Sequence, residues 1–377
     1  MESVICDLIK ENPESWEHIC EEKNIKVKFA DNLPYAIFNY QINADFNDPV
    51  VQEARGIIID INNLEVVCWP FRKFGNYSEP YADEIDWSTA RVQEKVDGSI
   101  VKYWYSEILD KWVWSTNSCI FADEALSASG RSFQKIIEST PEYMWISTFY
   151  GRENRNKRIY LLNRDYTYIF ELIGPENQVV IKYPKQRLIH IGTRNNKTGE
   201  ELNLNLGIVK PEEYPLQSLD DCKKAVLELN KNEFPDAEGF VVVDAQWHRV
   251  KVKSPEYLVW HHAVNNGYLN KETAYELWTS DDFNLELFNE NVPEYQKDRM
   301  SYYSKQFMET KKAVFEFISY VRELSDQGKS RKEIALEIKN NPYSTYGFKS
   351  LDVSGDENKV FSVVPEKVFL KLVKDYE

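Results

Sequence analysis

The chain changes its periodicity once, near residue 254, and that change limits the architectures open to it. Before it, short runs rich in Val, Ile, Tyr and Trp recur: Tyr35–Tyr40, Gly56–Ile61, Glu65–Trp69, Ser99–Tyr105, Trp112–Thr116, Thr167–Ile173, Gln178–Lys182, Arg187–Gly192, Gly239–Asp244 and Arg249–Lys253. Gly, Pro, Asn or Asp clusters separate many of them, the pattern of strands joined by turns. Helical stretches lie between, at Pro13–Lys23 behind an Asn12 N-cap, Ala122–Ser129, Phe133–Glu138 and Asp220–Asn230. The strands do not alternate regularly with crossover helices, so the spacing predicts antiparallel sheets and an α+β class. After Pro255 the texture is helical. Pro293–Leu324 sets Tyr302, Phe307, Val314, Phe315, Phe317, Ile318 and Val321 at helical spacing, Ser330 and Glu333 read as a capping box opening Arg331–Lys339, and Pro365–Lys374 is a further helix. Two domains are expected, residues 1–254 and an all-helical 255–377.

Charge narrows the functions available. With 46 basic against 61 acidic side chains the formal net charge is −15, which excludes a protein that coats nucleic acid through a broad basic face. A small local groove remains open, because residues 151–199 hold ten basic side chains against four acidic ones. No run approaches the ~20 apolar residues of a membrane span. The acidic Glu2, Asp7 and Glu11 are unlike a signal peptide. The five cysteines are scattered, never in CxxC spacing, so reduced thiols in a cytoplasmic protein are expected and a zinc site is not.

Four segments could carry chemistry. In Glu94-Lys95-Val96-Asp97-Gly98-Ser99 a lysine precedes an Asp-Gly turn. A solvated hairpin lysine is the ordinary reading, since a reactive one needs desolvation or neighbouring positive charge. In Arg249-Val250-Lys251-Val252-Lys253 the three cations share one face of a strand. Stacked cations suit a phosphate, whereas a solvent-facing edge strand is the plain alternative. Glu171 sits inside the apolar run Tyr168–Ile173, where a carboxylate needs a ligand, a metal-bound water or a basic partner. Arg55-Gly56 puts a guanidinium at the mouth of a strand. Other candidates read as structural: His261-His262 lack a second ligand pair, Trp104, Trp112 and Trp114 suit cross-strand packing, and Lys329, Arg331 and Lys332 suit a solvated helix start.

Taken in order, Lys95-x-Asp97-Gly98, Phe170-Glu171, Glu238-Gly239 and Lys251-x-Lys253 resemble the motifs of covalent nucleotidyltransferases, the polynucleotide ligases and capping enzymes. The likeness is closest to the phage-type ATP-dependent RNA ligase 1 family. Arg55-Gly56, Tyr35–Tyr40, Pro70–Phe74 and Asn177–Tyr183 resemble further elements of that family, so the likeness spans residues 35–255. One departure is that Ser115-Thr116-Asn117-Ser118 lacks a basic residue often found there.

The resemblance implies an antiparallel-sheet nucleotidyltransferase domain of the ATP-grasp-like ligase fold, followed by a helical domain. It implies that Lys95 takes AMP from ATP, that AMP passes to an RNA 5′-phosphate, and that a 3′-hydroxyl displaces it, with Mg²⁺ or Mn²⁺ assisting. By the same likeness Arg55 and Glu171 would hold the ribose and adjacent phosphate, and Glu238, with Glu171, would bind metal. Lys251 and Lys253 would grip the α-phosphate, and Asp97 would orient the lysine or a metal-bound water. Tyr40 and Lys73 would lie where pyrophosphate leaves, and Glu94 would meet adenine. The likeness further implies a monomer in the cytoplasm, that of the host cell if the source is viral, and an end-healing kinase or phosphatase as partner, with repair of RNA such as tRNA as the role. A DNA ligase, a capping-type enzyme and a non-catalytic RNA-end-binding protein are the alternatives. If the basic stretch 151–199 is part of an RNA path, the charge reversals Arg155→Glu and Arg158→Glu should weaken end joining more than self-adenylylation. Equal losses in both assays would count against such a path.

Overall fold

The computed structural model describes residues 2–41, 44–127, 129–149, 162–229, 236–254, 257–258, 269–279, 294–353 and 355–376. Alternation of apolar and polar residues between turns builds thirteen strands among them: β1 (Ile25–Phe29), β2 (Tyr35–Tyr40), β3 (Arg55–Asp60), β4 (Glu65–Cys68), β5 (Arg91–Glu94), β6 (Ser99–Ser106), β7 (Lys111–Thr116), β8 (Tyr166–Ile173), β9 (Arg187–Asn195), β10 (Glu201–Leu202), β11 (Glu213–Tyr214), β12 (Gly239–Val243) and β13 (Arg249–Lys253). They form three sheets, in the orders β1-β2-β3-β4, β10-β9-β8-β6-β7 and β11-β5-β12-β13. Every strand pairing is antiparallel, as the sequence predicts. The chain forms two compact units, Met1–Tyr257 and Leu258–Glu377.

Each sheet of the first unit buries its faces against something definite. The first sheet packs Phe38, Ile57 and Ile59 against the helices Val4–Glu11 and Trp16–Glu22, and Tyr35, Ile37 and Ile58 against Trp104 and Val113 of the second sheet. Burial on both faces explains why Ile57-Ile58-Ile59 is an unbroken apolar run rather than an alternating one. The second sheet covers its other face with the helices Phe133–Glu138 and Pro141–Phe149 through Val101, Trp114, Phe170, Ile136 and Ile146. The third lays Val92, Phe240, Val250 and Val252 on the helix Leu219–Leu229. Because Val250 and Val252 face that helix, period-two geometry turns Arg249, Lys251 and Lys253 toward the opposite side.

Lys95–Gly98 is not the tip of a hairpin. β5 belongs to the third sheet and β6 to the second, so these four residues carry the chain from one sheet to the other. Apolar side chains of the two sheets meet beside the crossing, where Ile100, Ile169 and Ile191 pack with Val241, Phe71 and Phe74. The edge of β13 is also covered: Lys251 donates its N–H to the Gly75 carbonyl and accepts from the Tyr77 N–H.

Several local expectations are corrected. Gln178–Lys182 is not a strand, because the Val180 and Ile181 N–H groups bond the Asp97 carboxylate instead of a neighbouring chain. Ala122–Ser129 is irregular over its described residues, and the Ala122 N–H donates to the Trp114 carbonyl. Asn12 does not open a helix; it closes Val4–Glu11, its amide donating to the Leu8 carbonyl, and the next helix starts at Trp16. The terminal helix is the shorter Glu366–Leu370. The strands β1, β5, β10 and β11 and the helices Val4–Glu11, Pro49–Glu53 and Pro141–Phe149 were not anticipated.

In the second unit the described elements are all helical. Glu294–Asp326 is its spine, burying Met300, Phe307, Val314 and Ile318 against Lys271–Thr279, Ser344–Ser350, Glu357–Ser362 and the last helix. The capping box of Ser330 and Glu333 opens Arg331–Ile338. No described helix is long and apolar enough to cross a membrane. The cysteines are all free. His261, His262, Arg152, Arg155, Lys157 and Arg158 lie outside the described residues.

Gly239 opens β12 with φ +141°, and a Cβ there would stand 2.1 Å from the Val252 carbonyl oxygen. Only glycine lets β12 meet β13 at this point. Gly239→Ala should cost more than about 1 kcal/mol of stability in a urea titration and should displace the adjoining Glu238. An unchanged midpoint would show that the two strands have room to part.

Candidate active site

The site is organised around one carboxylate. Glu238, 3% exposed, lies at the start of β12, with its Oε2 2.7 Å from the Lys95 Nζ and its Oε1 3.1 Å from the Lys253 Nζ. Burial pushes this carboxyl upward, but the two ammonium groups outweigh it and hold the group below its ordinary value. Lys251 has no such relief. Its burial, together with the charges of Lys73, Arg55, Lys95 and Lys253, drives it well below the usual lysine range. Lys253 is lowered by burial too, and Glu238 offsets part of that.

Lys95, Lys251 and Lys253 line a cleft of about 330 Å³ between the second and third sheets, the lower part of the range for small-molecule sites, and Glu238 stands behind its wall, bonded to two of them. Arg55, Glu94, Lys95, Glu171, Lys251 and Lys253 all face it, joined by Phe71, Phe74 and Asn117. Each comes from a different part of the fold: Arg55 from β3, Lys95 from the inter-sheet crossing, Glu171 from β8 and the two lysines from β13. The cationic face of β13 is therefore turned into the cleft, not out to solvent as on an exposed edge. Arg249 reaches the same cleft but is neutralised by a bidentate pair with Glu201, at 3.0 and 2.6 Å.

Glu171 is buried where β8 pairs with Ile100 of β6. Burial raises its carboxyl to about 8, Lys95 opposing and Glu238 adding to the shift, so the acid holds its proton at neutral pH. Glu94 is raised by burial as well.

Three expected residues stand elsewhere. Asp97 does not address the lysine: its Oδ2 accepts the Val180 and Ile181 N–H groups at 2.9 and 2.7 Å, and its Oδ1 accepts the Tyr257 hydroxyl at 2.7 Å. It anchors the loop after β8 and the end of the first unit behind the crossing. Lys73 and Tyr40 do not line the cleft. The Lys73 ammonium sits over the rings of Phe46 and Tyr40, 4.7 and 5.4 Å from their centroids, yet is near enough for its charge to act on Lys251.

The basic stretch 151–199 does not converge on the cleft over its described residues. Arg187 pairs with Glu142, Lys197 with Glu65, Arg164 covers Tyr105, and Arg194 stacks on Trp69 while donating to the Pro70 and Gly199 carbonyls. Trp104, Trp112 and Trp114 serve packing, with Tyr103 stacked on Trp112 and Trp114. Arg331 is tied to Asp352 and Lys329 to Glu337. Lys102 was not singled out, because a lysine in a strand carries no signal of its own, and Asn117, which lines the cleft, entered only as part of the Ser115–Ser118 segment that lacks a basic residue.

A divalent cation fits this donor set in one way. Among the described residues no group of three or more metal-ligating side chains converges. A Mg²⁺ ion, however, is usually held by one or two carboxylates plus substrate phosphates and water. Glu238 and Glu171 offer that number at a cleft rich in cations.

The phage-type RNA ligase family model matches residues 53–257, more than half of the chain and all of the cleft-lining residues. The chain belongs to the phage-type RNA ligase family. This RNA ligase is 25% identical over 412 residues to the RNA ligase of Rhodothermus phage RM378, covering 93% of this chain and 91% of that one. It is 28% identical over 267 residues to an Autographa californica nuclear polyhedrosis virus protein described as a bifunctional polynucleotide kinase/RNA ligase. That match takes in 65% of this chain but only 36% of the viral protein, so the chain spans about a third of that relative's length. A solved archaeal ATP-dependent RNA ligase is similar at TM-score 0.45 and 13% identity, over 86% of this chain and 90% of that one. The family expected from the ordered motifs is thus the one found, and with it an RNA ligase.

Folding raises the Glu171 carboxyl from 4.5 to about 8, so the folded protein binds this proton more tightly than the unfolded chain. The stability attached to the group is therefore present below about pH 4.5 and is lost as pH climbs toward 8. Glu171→Gln should flatten the fall of Tm across that window. A variant with the wild-type slope would place the proton on another group.

Proposed function

We propose that this RNA ligase uses ATP to adenylylate Lys95 and passes the AMP to a 5′-phosphate RNA end, which a 3′-hydroxyl then seals. The observation that carries the reading is the Lys95 amine held 2.7 Å from the Glu238 carboxylate in a cleft lined by Arg55, Lys251 and Lys253. Phosphoryl transfer asks a protein mainly to position groups and to neutralise developing charge. Three cations around one amine supply both. In the first step the Lys95 nitrogen forms a bond to the α-phosphorus, the bond to the bridging oxygen breaks, and pyrophosphate departs with that electron pair. Glu238, bonded to the same amine, is placed to take the proton the nitrogen sheds. Lys251 and Lys253 would meet the α-phosphate oxygens, and Arg55 the neighbouring phosphate and ribose. Glu94, which lines the cleft, would meet adenine, and Lys73 and Tyr40, which do not line it, would meet the departing pyrophosphate.

Glu238, joined by Glu171 once that acid is ionised, would hold a Mg²⁺ or Mn²⁺ ion, whose charge would offset that of the triphosphate. In the second step the RNA 5′-phosphate oxygen displaces Lys95 from the AMP phosphorus. In the third the 3′-hydroxyl oxygen attacks the 5′-phosphate and AMP leaves. The substrate must carry a 5′-phosphate and a 3′-hydroxyl, so ends of other chemistry need a kinase or phosphatase first. The kinase joined to ligase in the viral relative supports that partnership. Repair of broken RNA, tRNA included, by a monomer in the cytoplasm of an infected host accords with the phage and viral relatives.

Incubation with α-labelled ATP and magnesium should label the protein on a denaturing gel, and Lys95→Ala should abolish the label. Single-stranded RNA with the stated ends should then be joined. Absence of any adduct under either metal removes the reading, and label from GTP or sealing confined to nicked DNA would replace it with a capping-type or DNA-ligase activity. Tight RNA binding with no adduct would point to a non-catalytic end binder.

A further inference from the structure

We propose that Lys102 is a positioning residue of the nucleotide cleft, fixing the Gly56–Ile57 peptide next to Arg55 and the Asn117 turn from behind and adding a positive charge that strengthens triphosphate binding. The proposal rests on the reading of the cleft as an ATP site. Lys102 lies mid-strand in β6 and is 0% exposed. Lysines are almost never fully buried unless paired, yet among the described residues Lys102 has no carboxylate partner. Its ammonium donates to the Gly56 carbonyl, a neutral acceptor. The groups that face it are the Arg55 guanidinium from β3, the Cys68 thiol from β4, and the Cys119 thiol after β7. Its backbone pairs with Ser115 of β7 and Ile169 of β8. None of these supplies a negative charge at neutral pH, and Arg55 repels it.

The contacts of this amine lead directly to the cleft wall. Gly56 has φ +81°, and a Cβ there would stand 2.7 Å from the Lys102 Nζ and 2.6 Å from the Asn117 carbonyl oxygen. The three groups are therefore packed together, with no room for a side chain at position 56. Asn117 and Arg55 both line the cleft, and the buried Asn117 Oδ1 has no hydrogen-bond partner. An orphan acceptor and an unpaired buried cation are each costly in a finished core. At the wall of an anion site both make sense. The amine holds the backbone that presents Arg55, and its field acts on phosphate through a medium of low dielectric. Stability alone gives no reason for a lysine here, since an apolar residue of similar length would fill the same space without the burial penalty.

Burial lowers Lys102 to about 8, which makes its charge switchable within the range of an enzyme assay. The test is the KM for ATP in self-adenylylation, measured for wild type and Lys102→Met at about pH 7 and about pH 9. At the lower pH the variant should show a KM about tenfold higher with kcat little changed. At the higher pH the ratio of the two KM values should approach one, because the wild-type amine has itself become neutral. Lys251 and Lys253 titrate in both proteins, so the ratio isolates Lys102. A ratio that is the same at both pH values shows a purely structural role and overturns the proposal, as does a KM equal to wild type throughout. Lys102→Gln, which keeps a donor without the charge, repeats the comparison if the methionine variant does not fold. Failure of both to fold assigns the lysine to stability and overturns the proposal. Absence of a wild-type adduct would instead remove the ATP reading itself.

Discussion

One buried carboxylate holds this site together. Glu238 stands between Lys95 and Lys253 with almost no access to water, and without it two ammonium groups would face each other in a medium that screens them poorly. Even with it, the cleft is short of negative charge. Arg55 and Lys251 add to the same space, and burial raises the two acids that line it, Glu171 and Glu94. A cluster of this kind is costly to assemble, and the rest of the first unit supplies the rigidity. Three sheets, each buried against a helix layer or another sheet, fix the points from which the charges project.

The same accounting explains how a chain of net charge −15 can hold a cationic cleft. Several basic residues outside the cleft are matched one to one, Arg187 by Glu142, Arg72 by Asp83 and Arg91 by Glu213, and so is Arg249 at the cleft, by Glu201. Within the cleft a single carboxylate, Glu238, serves both Lys95 and Lys253, and Arg55 and Lys251 add further positive charge. The field within the cleft therefore comes from a few incompletely neutralised groups in a concave site, where low-dielectric walls focus it, and not from overall composition.

Much of this was legible in the sequence, for stated reasons. The alternation in Arg249–Lys253 identifies a strand with a cationic face, and a glutamate inside the apolar run of β8 signals a buried acid with a task. What alternation cannot convey is which sheet a strand joins, so Lys95–Gly98 looked like a hairpin tip although it links two sheets. The role given to Asp97 rests on the family likeness alone; what the sequence could not show is that its bonds reach residues 180, 181 and 257, far along the chain. Those bonds also account for the false strand at Gln178–Lys182, whose Val180 and Ile181 are buried without pairing to another strand. Two-residue strands such as β10 and β11 carry no periodicity to detect, and Lys102 in β6 reads as a solvent-facing lysine until its neighbours are known.

The crossing from β5 to β6 has a mechanical consequence. Lys95 is carried by neither sheet but by the four-residue span between them, while Lys251 and Lys253 ride on one and Glu171 on the other. In the proposed reaction the gap between the sheets would thus be the coordinate along which lysine and phosphorus approach. An ångström of misplacement can cost a reacting pair two orders of magnitude. Core substitutions among Ile100, Ile169, Ile191 and Val241, which set that gap, would accordingly act as changes in catalytic alignment while touching no reacting atom.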